Sequence, residues 1–424
     1  MNKPQLLMII NSFPPSGGSG VQRALKFLKY SCQEGWEVYV ITPKKPTNTF
    51  IDYSLLKDIP PEAHIYKVGG LGIRTPEYAK ITSTCFEETM PKNPIEREFW
   101  RLVKFFNDLF FPIDKQIGWV PFATHKAKQL IKKHNIKNVY ITASPFSSFL
   151  AGIQLKKKFK NKIFWVADYR DSWQFAIYMK TKILPFRQRY IEKMDEKVLR
   201  SCDMAVFVTD PNRNEYLQKY PWLEPKSCTI INGYDEEDFK DVQPLKFSYP
   251  TLLYMGKADL LYGNLLNILP AISLSGIPNL HFIHIGIIDP FLLDEIKRKG
   301  YESYYYEGYK PHKEALNYLC GADVNLVIRQ NDEESKNALS GKIFELLRAG
   351  RPILSVGPHN SAVANLVNET HTGVHAFIED PEAIAEALRI CYSRRNDSPL
   401  PKEVLEKYSR EYLTKKLLSL YPEV

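Results

Sequence analysis

The sequence lacks the features that would mark it as membrane-spanning, secreted or built around a metal. No apolar run is long enough to cross a bilayer. No basic-then-apolar leader opens the chain, and the first apolar stretch, "QLLMII", has the length of a strand rather than of a targeting signal. Its six cysteines (Cys32, Cys85, Cys202, Cys228, Cys320 and Cys391) are scattered and form no CxxC pair. That spacing argues against a zinc site and a disulfide framework and fits a reducing cytoplasm. There is no internal repeat of fixed period, no GxxxxGK[ST] loop and no sequence motif for nucleic-acid binding. We therefore expect neither a bound metal nor a nucleic-acid partner.

What is present is a soluble composition, 44% hydrophobic and 25% charged, over 424 residues. That length exceeds one comfortable core, so two domains are expected. The net charge of +9 is uneven: through Lys240 there are 37 Lys and Arg against 25 Asp and Glu, and beyond it 20 against 23. The basic first half should face something anionic, such as a membrane surface or a phosphate-bearing acceptor.

Short apolar runs alternate with amphipathic stretches. "QLLMII", "WEVYVIT", "NVYITAS", "IFWVADY", "MAVFVT" and "CTIING" read as strands of a first domain. "DEEDFKDVQPLKFSYP" then breaks the pattern with acids and prolines. A second series follows: "TLLYMG", "LHFIHIG", "SYYYEGY", "DVNLVIR", "RPILSVG" and "TGVHAF". The alternation predicts two Rossmann-like, doubly wound parallel-sheet domains. We place the first over residues 1–235, a linker over 236–249 and the second over 250–404, with a C-terminal helix at about 405–424 packing back on the first. Ligands of such sheets bind outside the C-terminal strand ends, so two facing domains imply a cleft. The segment Glu96–Phe111, "EREFWRLVKFFNDLFF", suits either a core helix or a helix at a membrane interface, its aromatic face being flanked by Arg97, Arg101 and Lys104.

Several motifs end strands. "FPPSGGSGVQR" resembles a glycine loop opening a helix, suited to an anion or simply to a tight turn. It is not a dinucleotide fingerprint, because Arg23 stands where the third glycine belongs. "VADYRDSW" gathers Asp168, Arg170, Asp171 and Trp173 at a strand end, as an internal ion pair or as site residues. "TASPFSS" should line the same edge, and "YMGKAD" sets Lys257 after the first strand of the second domain, as a phosphate contact or a solvated lysine. In "SGKIFELLRAGRPIL", Ser340 would cap a helix whose first N–H groups, at Gly341 and Lys342, suit a phosphate. From this stretch alone, Glu345 reads as the ion-pair partner of Lys342 or Arg348 on a solvated face.

Taken in order, "FPPSGGSGVQRALKF", "VADYRDSW", "INGYDEEDF", "GYKPHKEALNYLCGADVNLVI" and "SGKIFELLRAGRPIL" resemble the retaining group-1 (family 4) bacterial glycosyltransferases of the GT-B fold, over nearly the whole chain. The resemblance implies a metal-independent, cofactor-free transfer from a nucleotide-diphosphate sugar to a glycan or polyprenyl-linked acceptor in cell-surface polysaccharide biosynthesis. It implies a cytoplasmic enzyme, peripheral on the inner membrane face, with the acceptor on the first domain and the donor on the second. By the same resemblance, Glu345 binds the donor ribose, and Lys257, Lys342 and the helix start at Gly341 grip the diphosphate with help from Arg329. Tyr309 and Lys310 lie by the base. Gly17, Gly18 and Ser19 approach the donor, and Arg170 and Asp171 face the acceptor or the transferred sugar. Two positions depart from the family: Asn337 replaces an acid eight residues before Glu345, and Tyr262-Gly263 replaces a Lys-Gly pair. A nucleotide-sugar 2-epimerase, a hydrolase and a non-catalytic nucleotide-sugar-binding protein remain as alternatives.

Overall fold

The computed structural model describes residues 3–46, 51–71, 113–175, 185–259 and 265–422. The segment Glu96–Phe111 and the pair Tyr262-Gly263 lie outside the described residues. The chain divides into two compact units, Met1–Ile230 with Leu413–Val424, and Ile231–Tyr412.

The first unit is built on seven parallel strands: β1 (Gln5–Ile9), β2 (Glu37–Pro43), β3 (His64–Val68), β4 (Asn138–Ala143), β5 (Phe164–Tyr169), β6 (Met204–Phe207) and β7 (Ser227–Thr229), in the order β3-β2-β1-β4-β5-β6-β7. Alternation sends β-branched and aromatic residues to both faces, as a buried parallel sheet requires. On one face Leu7, Ile9, Val139, Ile141 and Trp165 pack with Phe149, Leu130 and Leu155 from the helices Val120–His134 and Phe149–Phe159. On the other, Tyr140 meets Phe27 of the helix Ser19–Gln33 edge-on, with ring centroids 5.9 Å apart. The last segment returns to this unit: Tyr421 donates to the Val139 carbonyl and Lys415 pairs with Glu34. Edge strand β3 is the one strand the sequence reading passes over; its residues are half-exposed, so no apolar run marks it.

The second unit has six parallel strands, β8 (Thr251–Met255), β9 (His281–Ile285), β10 (Tyr304–Gly308), β11 (Val324–Ile328), β12 (Ile353–Gly357) and β13 (Gly373–Phe377), ordered β10-β9-β8-β11-β12-β13. The period of two divides neighbours between two cores: Leu252, Phe282 and Leu354 join the helix Pro381–Ser393, whereas Leu253, Ile283 and Ile353 join the helices His312–Gly321 and Gly341–Ala349. The stretch expected as a linker over 236–249 belongs to this unit. It opens with the helix Glu236–Phe239, capped by Asp235, with Phe239 buried and Glu236 bridged to Arg348.

Candidate functional site

In both sheets the connection reverses direction beside the first strand of the unit, between β1 and β4 and between β8 and β11. The connections leaving these paired strands run to opposite sides, and the crevice between them at the C-terminal strand ends is where doubly wound folds take ligands.

At the first crevice lies a cavity of about 360 Å³ lined by Asn11, Ser12, Gly17, Gly18, Gly20, Val21, Gln116, Ser144, Pro145 and Arg170. Gly18 has φ of 106°, a conformation glycine adopts without strain, and it opens the helix Ser19–Gln33 with no side-chain cap. Arg170 follows β5 directly; its Nε donates to the Ala143 carbonyl at 3.1 Å and its Nη2 to the Ser144 carbonyl at 2.6 Å. Only a glycine at position 20 leaves room for it, since a Cβ there would sit 1.1 Å from the Arg170 Nη1. Asp171 reaches solvent and does not line the cavity; desolvation raises its pKa, against the pull of Arg170.

Asp168 and Arg170, adjacent in the motif, serve different ends. Asp168 is fully buried and takes a two-pronged bond from Arg23, Nε to Oδ2 at 3.1 Å and Nη2 to Oδ1 at 2.8 Å, with Thr142 and Tyr140 hydroxyls also donating. Burial opposes its ionisation, but Arg23 and the hydroxyls outweigh it and the net pKa is lowered. The residue that breaks the glycine fingerprint is thus the cation that locks the glycine-loop helix to β5.

At the second crevice, Lys257 follows β8, Arg329 follows β11, and the helix Gly341–Ala349 begins nearby. Ser340 makes no side-chain cap, and the space where a Gly341 side chain would project is open. The Lys342 Nζ donates to the Met255 carbonyl at the end of β8, 3.2 Å away. Desolvation lowers its pKa; Glu345 opposes and Arg329 reinforces. Arg329 is the most telling of these groups. Its Nε and Nη2 are buried with no hydrogen-bond partner among the described residues, and burial lowers its pKa against Tyr254 and Asp332. Lys257 is largely exposed and pairs with Asp259 at 2.6 Å.

Glu345 is not on a solvated face. It is 8% exposed, and its Oε1 is 3.1 Å from the Nε2 of His312, at the start of the neighbouring helix. That contact raises the His312 pKa. Arg348, the other partner expected for Glu345, forks onto Glu236 instead. Tyr309 is exposed beyond β10, and Lys310 is held by Glu307 and Glu314. The structure therefore gathers Arg329, Lys342 and Glu345 and leaves Lys257 one short loop away, while among the described residues no hydrogen bond or ion pair joins Tyr309 or Lys310 to that cluster. Sequence reasoning missed His312, though it lies three residues past Tyr309 in the quoted "GYKPH", because a lone histidine at a helix start carries no signal of its partner.

Residues 19–238 match the model of Glycosyltransferase Family 4, more than half of the chain, and the protein belongs to that family of glycosyltransferases. No protein of curated function matches it. Among solved structures, HepE from Anabaena in complex with UDP is similar over 98% of this chain and 99% of its own, at 11% identity and a TM-score of 0.60. The lipopolysaccharide outer core galactosyltransferase WaaB, in its apo form, is similar over 98% of each chain at 11% identity, with a TM-score of 0.56. A putative UDP-N-acetylglucosamine 2-epimerase from Listeria monocytogenes covers 99% of this chain and 95% of its own at 12% identity, with a TM-score of 0.54. At such identities the likeness concerns the fold, which is GT-B.

Proposed function

We propose that the protein transfers a sugar from a nucleoside-diphosphate sugar, held at the crevice between β8 and β11, to a glycan or polyprenyl-diphosphate-linked acceptor. One observation carries this reading: the half-buried Arg329, two of whose guanidinium nitrogens are buried with no hydrogen-bond partner among the described residues, lies beside Lys342 at an uncapped helix start. Buried donor nitrogens without partners are costly, and a diphosphate is an anion whose oxygens match guanidinium, ammonium and helix N–H groups together. Lys257 would leave Asp259 to join them. Glu345, steadied by His312, would accept hydrogen bonds from the ribose hydroxyls, with Tyr309 and Lys310 beside the base. Gly17, Gly18, Ser19, Arg170 and Asp171 would serve the acceptor and the transferred sugar.

The reaction we propose retains the anomeric configuration. The bond from the anomeric carbon to the diphosphate oxygen breaks through an oxocarbenium-like state. The acceptor hydroxyl forms its bond from the same face, and its proton passes to the departing diphosphate. The protein's share is positioning and neutralising charge on the leaving group, which the three cations and the helix start supply without a metal. A membrane-borne acceptor suits the helix Pro185–Ser201, which exposes Phe186, Arg189, Tyr190, Lys193 and Lys197.

Product analysis tests the reading. With a UDP-, GDP- or dTDP-sugar and a polyprenyl-diphosphate glycan, we expect a lengthened acceptor of retained configuration and free nucleoside diphosphate, undiminished by EDTA. The fold likeness to the Listeria protein keeps a 2-epimerase as the second reading; an epimerised nucleotide sugar formed without any acceptor would establish it instead.

A further inference from the structure

The helix Pro185–Ser201 carries one fully buried carboxylate, Asp195, in a stretch, "EKMDEK", that reads as solvent-facing. Its Oδ1 accepts from the Tyr169 hydroxyl at 2.8 Å; its Oδ2 accepts from the Tyr216 hydroxyl at 2.8 Å and the Gln174 amide at 3.1 Å. Among the described residues no basic side chain pairs with it. The Tyr216 hydroxyl also accepts the Trp173 backbone N–H at 3.0 Å, and the Gln174 carbonyl oxygen accepts from Lys219 at 2.6 Å. The Trp173 ring stacks on Phe146, just past Ser144 and Pro145, with centroids 4.9 Å apart. The loop after β5 is thus tied to one carboxylate at both ends, through Tyr169 on one side and Trp173 and Gln174 on the other. Arg170, between them, is the charged side chain lining the cavity.

We infer that Asp195 is a positioning residue for glycosyl transfer, holding the loop Arg170–Gln174 so that the Arg170 guanidinium stays at the cavity edge. The inference rests on the reading of that cavity as part of the transfer site. A carboxylate accepts at every lone pair, so it can order three donors at once; an amide must turn one of them away. Burial pushes Asp195 up to about 6, against Tyr169, Tyr216 and Gln174. Cys202, Tyr220 and, through Gln174, Lys219 also face this network. Because the folded pKa is raised, the group adds stability at low pH and that contribution is lost as pH rises through about 6. An ionised Asp195 at neutral pH therefore costs stability, and the neutral isostere relieves that cost.

The test uses the full chain and the variants Asp195→Asn, Tyr216→Phe, Arg170→Ala and Arg170→Ala/Asp195→Asn. Hydrogen exchange is read across 166–175, melting temperature at pH 8, and turnover as UDP released from UDP-glucose, or GDP or dTDP from the corresponding sugar. For Asp195→Asn we expect faster exchange in 166–175, an unchanged or higher melting temperature and roughly tenfold lower kcat. We expect the parent's activity to fall as pH drops below about 6 and this fall to vanish in Asp195→Asn, and the double variant should be no slower than Arg170→Ala. Unchanged exchange and kcat in Asp195→Asn, or losses that multiply in the double variant, would overturn the inference. Should Asp195→Asn not fold, Tyr216→Phe, which keeps ring and charge but severs the link to Trp173, is held to the same exchange and kcat outcomes. Parental turnover in Arg170→Ala would instead sink the reading of the cavity, while exchange still reports on Asp195.

Discussion

Gly20 has no side chain, and that vacancy is where Arg170 lies. A methyl group at this position would sit 1.1 Å from Nη1, and the obstructing atom is the far end of a flexible side chain rather than backbone. Gly20→Ala should therefore fold with a stability change of about 1 kcal/mol or less, because only the guanidinium has to move. Transfer should nevertheless fall about tenfold or more, since the displaced cation leaves the Ala143 and Ser144 carbonyls that aim it. Melting curves and steady-state turnover check both halves; parental turnover would show that the position of Arg170 is immaterial. Arg23 teaches a related lesson. The sequence shows it only as a broken fingerprint, while the structure shows a buried bidentate pair with Asp168, 145 residues away in the chain. Partners so distant cannot be paired by reading, which is also why the stretch around Glu345, taken alone, suggests Lys342 or Arg348 as its partner rather than His312.

Elements were far more legible than pairs. Buried strands such as β4, β5 and β12 announce themselves as continuous apolar runs, and the motifs that follow β4, β5 and β8 fall at the two crevices. β3 escaped because an edge strand half open to solvent has no such run. The helix Pro185–Ser201 shows both sides of the matter. Its periodicity is plain, yet the charged residue that points inward, Asp195, looks like its neighbours. Its outer face sets Phe186 and Tyr190 among Arg189, Lys193 and Lys197, an arrangement suited to anionic headgroups. We expect phosphatidylserine vesicles to sediment the protein at low salt, and the triple change Arg189→Glu, Lys193→Glu and Lys197→Glu to weaken this severalfold. Binding that ignores both salt and the triple change would show that this helix face does not meet the membrane.

For the whole molecule, the two units divide charge and chemistry. The excess of basic residues lies before Lys240, in the part of the chain with the Arg170 cavity, whereas the remainder is slightly acidic overall but concentrates Arg329 and Lys342 at one crevice. No described helix is long and apolar enough to cross a membrane. The family match spans 19–238, so the crevice proposed for the donor lies beyond it and rests on its own geometry. Nucleotide binding at this crevice can be read by a thermal-shift titration of the parent and Arg329→Ala with UDP, GDP, dTDP and their sugars. A ligand that binds only the folded state at a hundred times its Kd stabilises by about 2.7 kcal/mol. One nucleoside diphosphate family is expected to raise the parent's melting temperature, and Arg329→Ala to lose most of that rise without losing its fold. A parent that none of these ligands stabilises, or an Arg329→Ala variant stabilised as fully as the parent, would contradict nucleotide binding at this crevice.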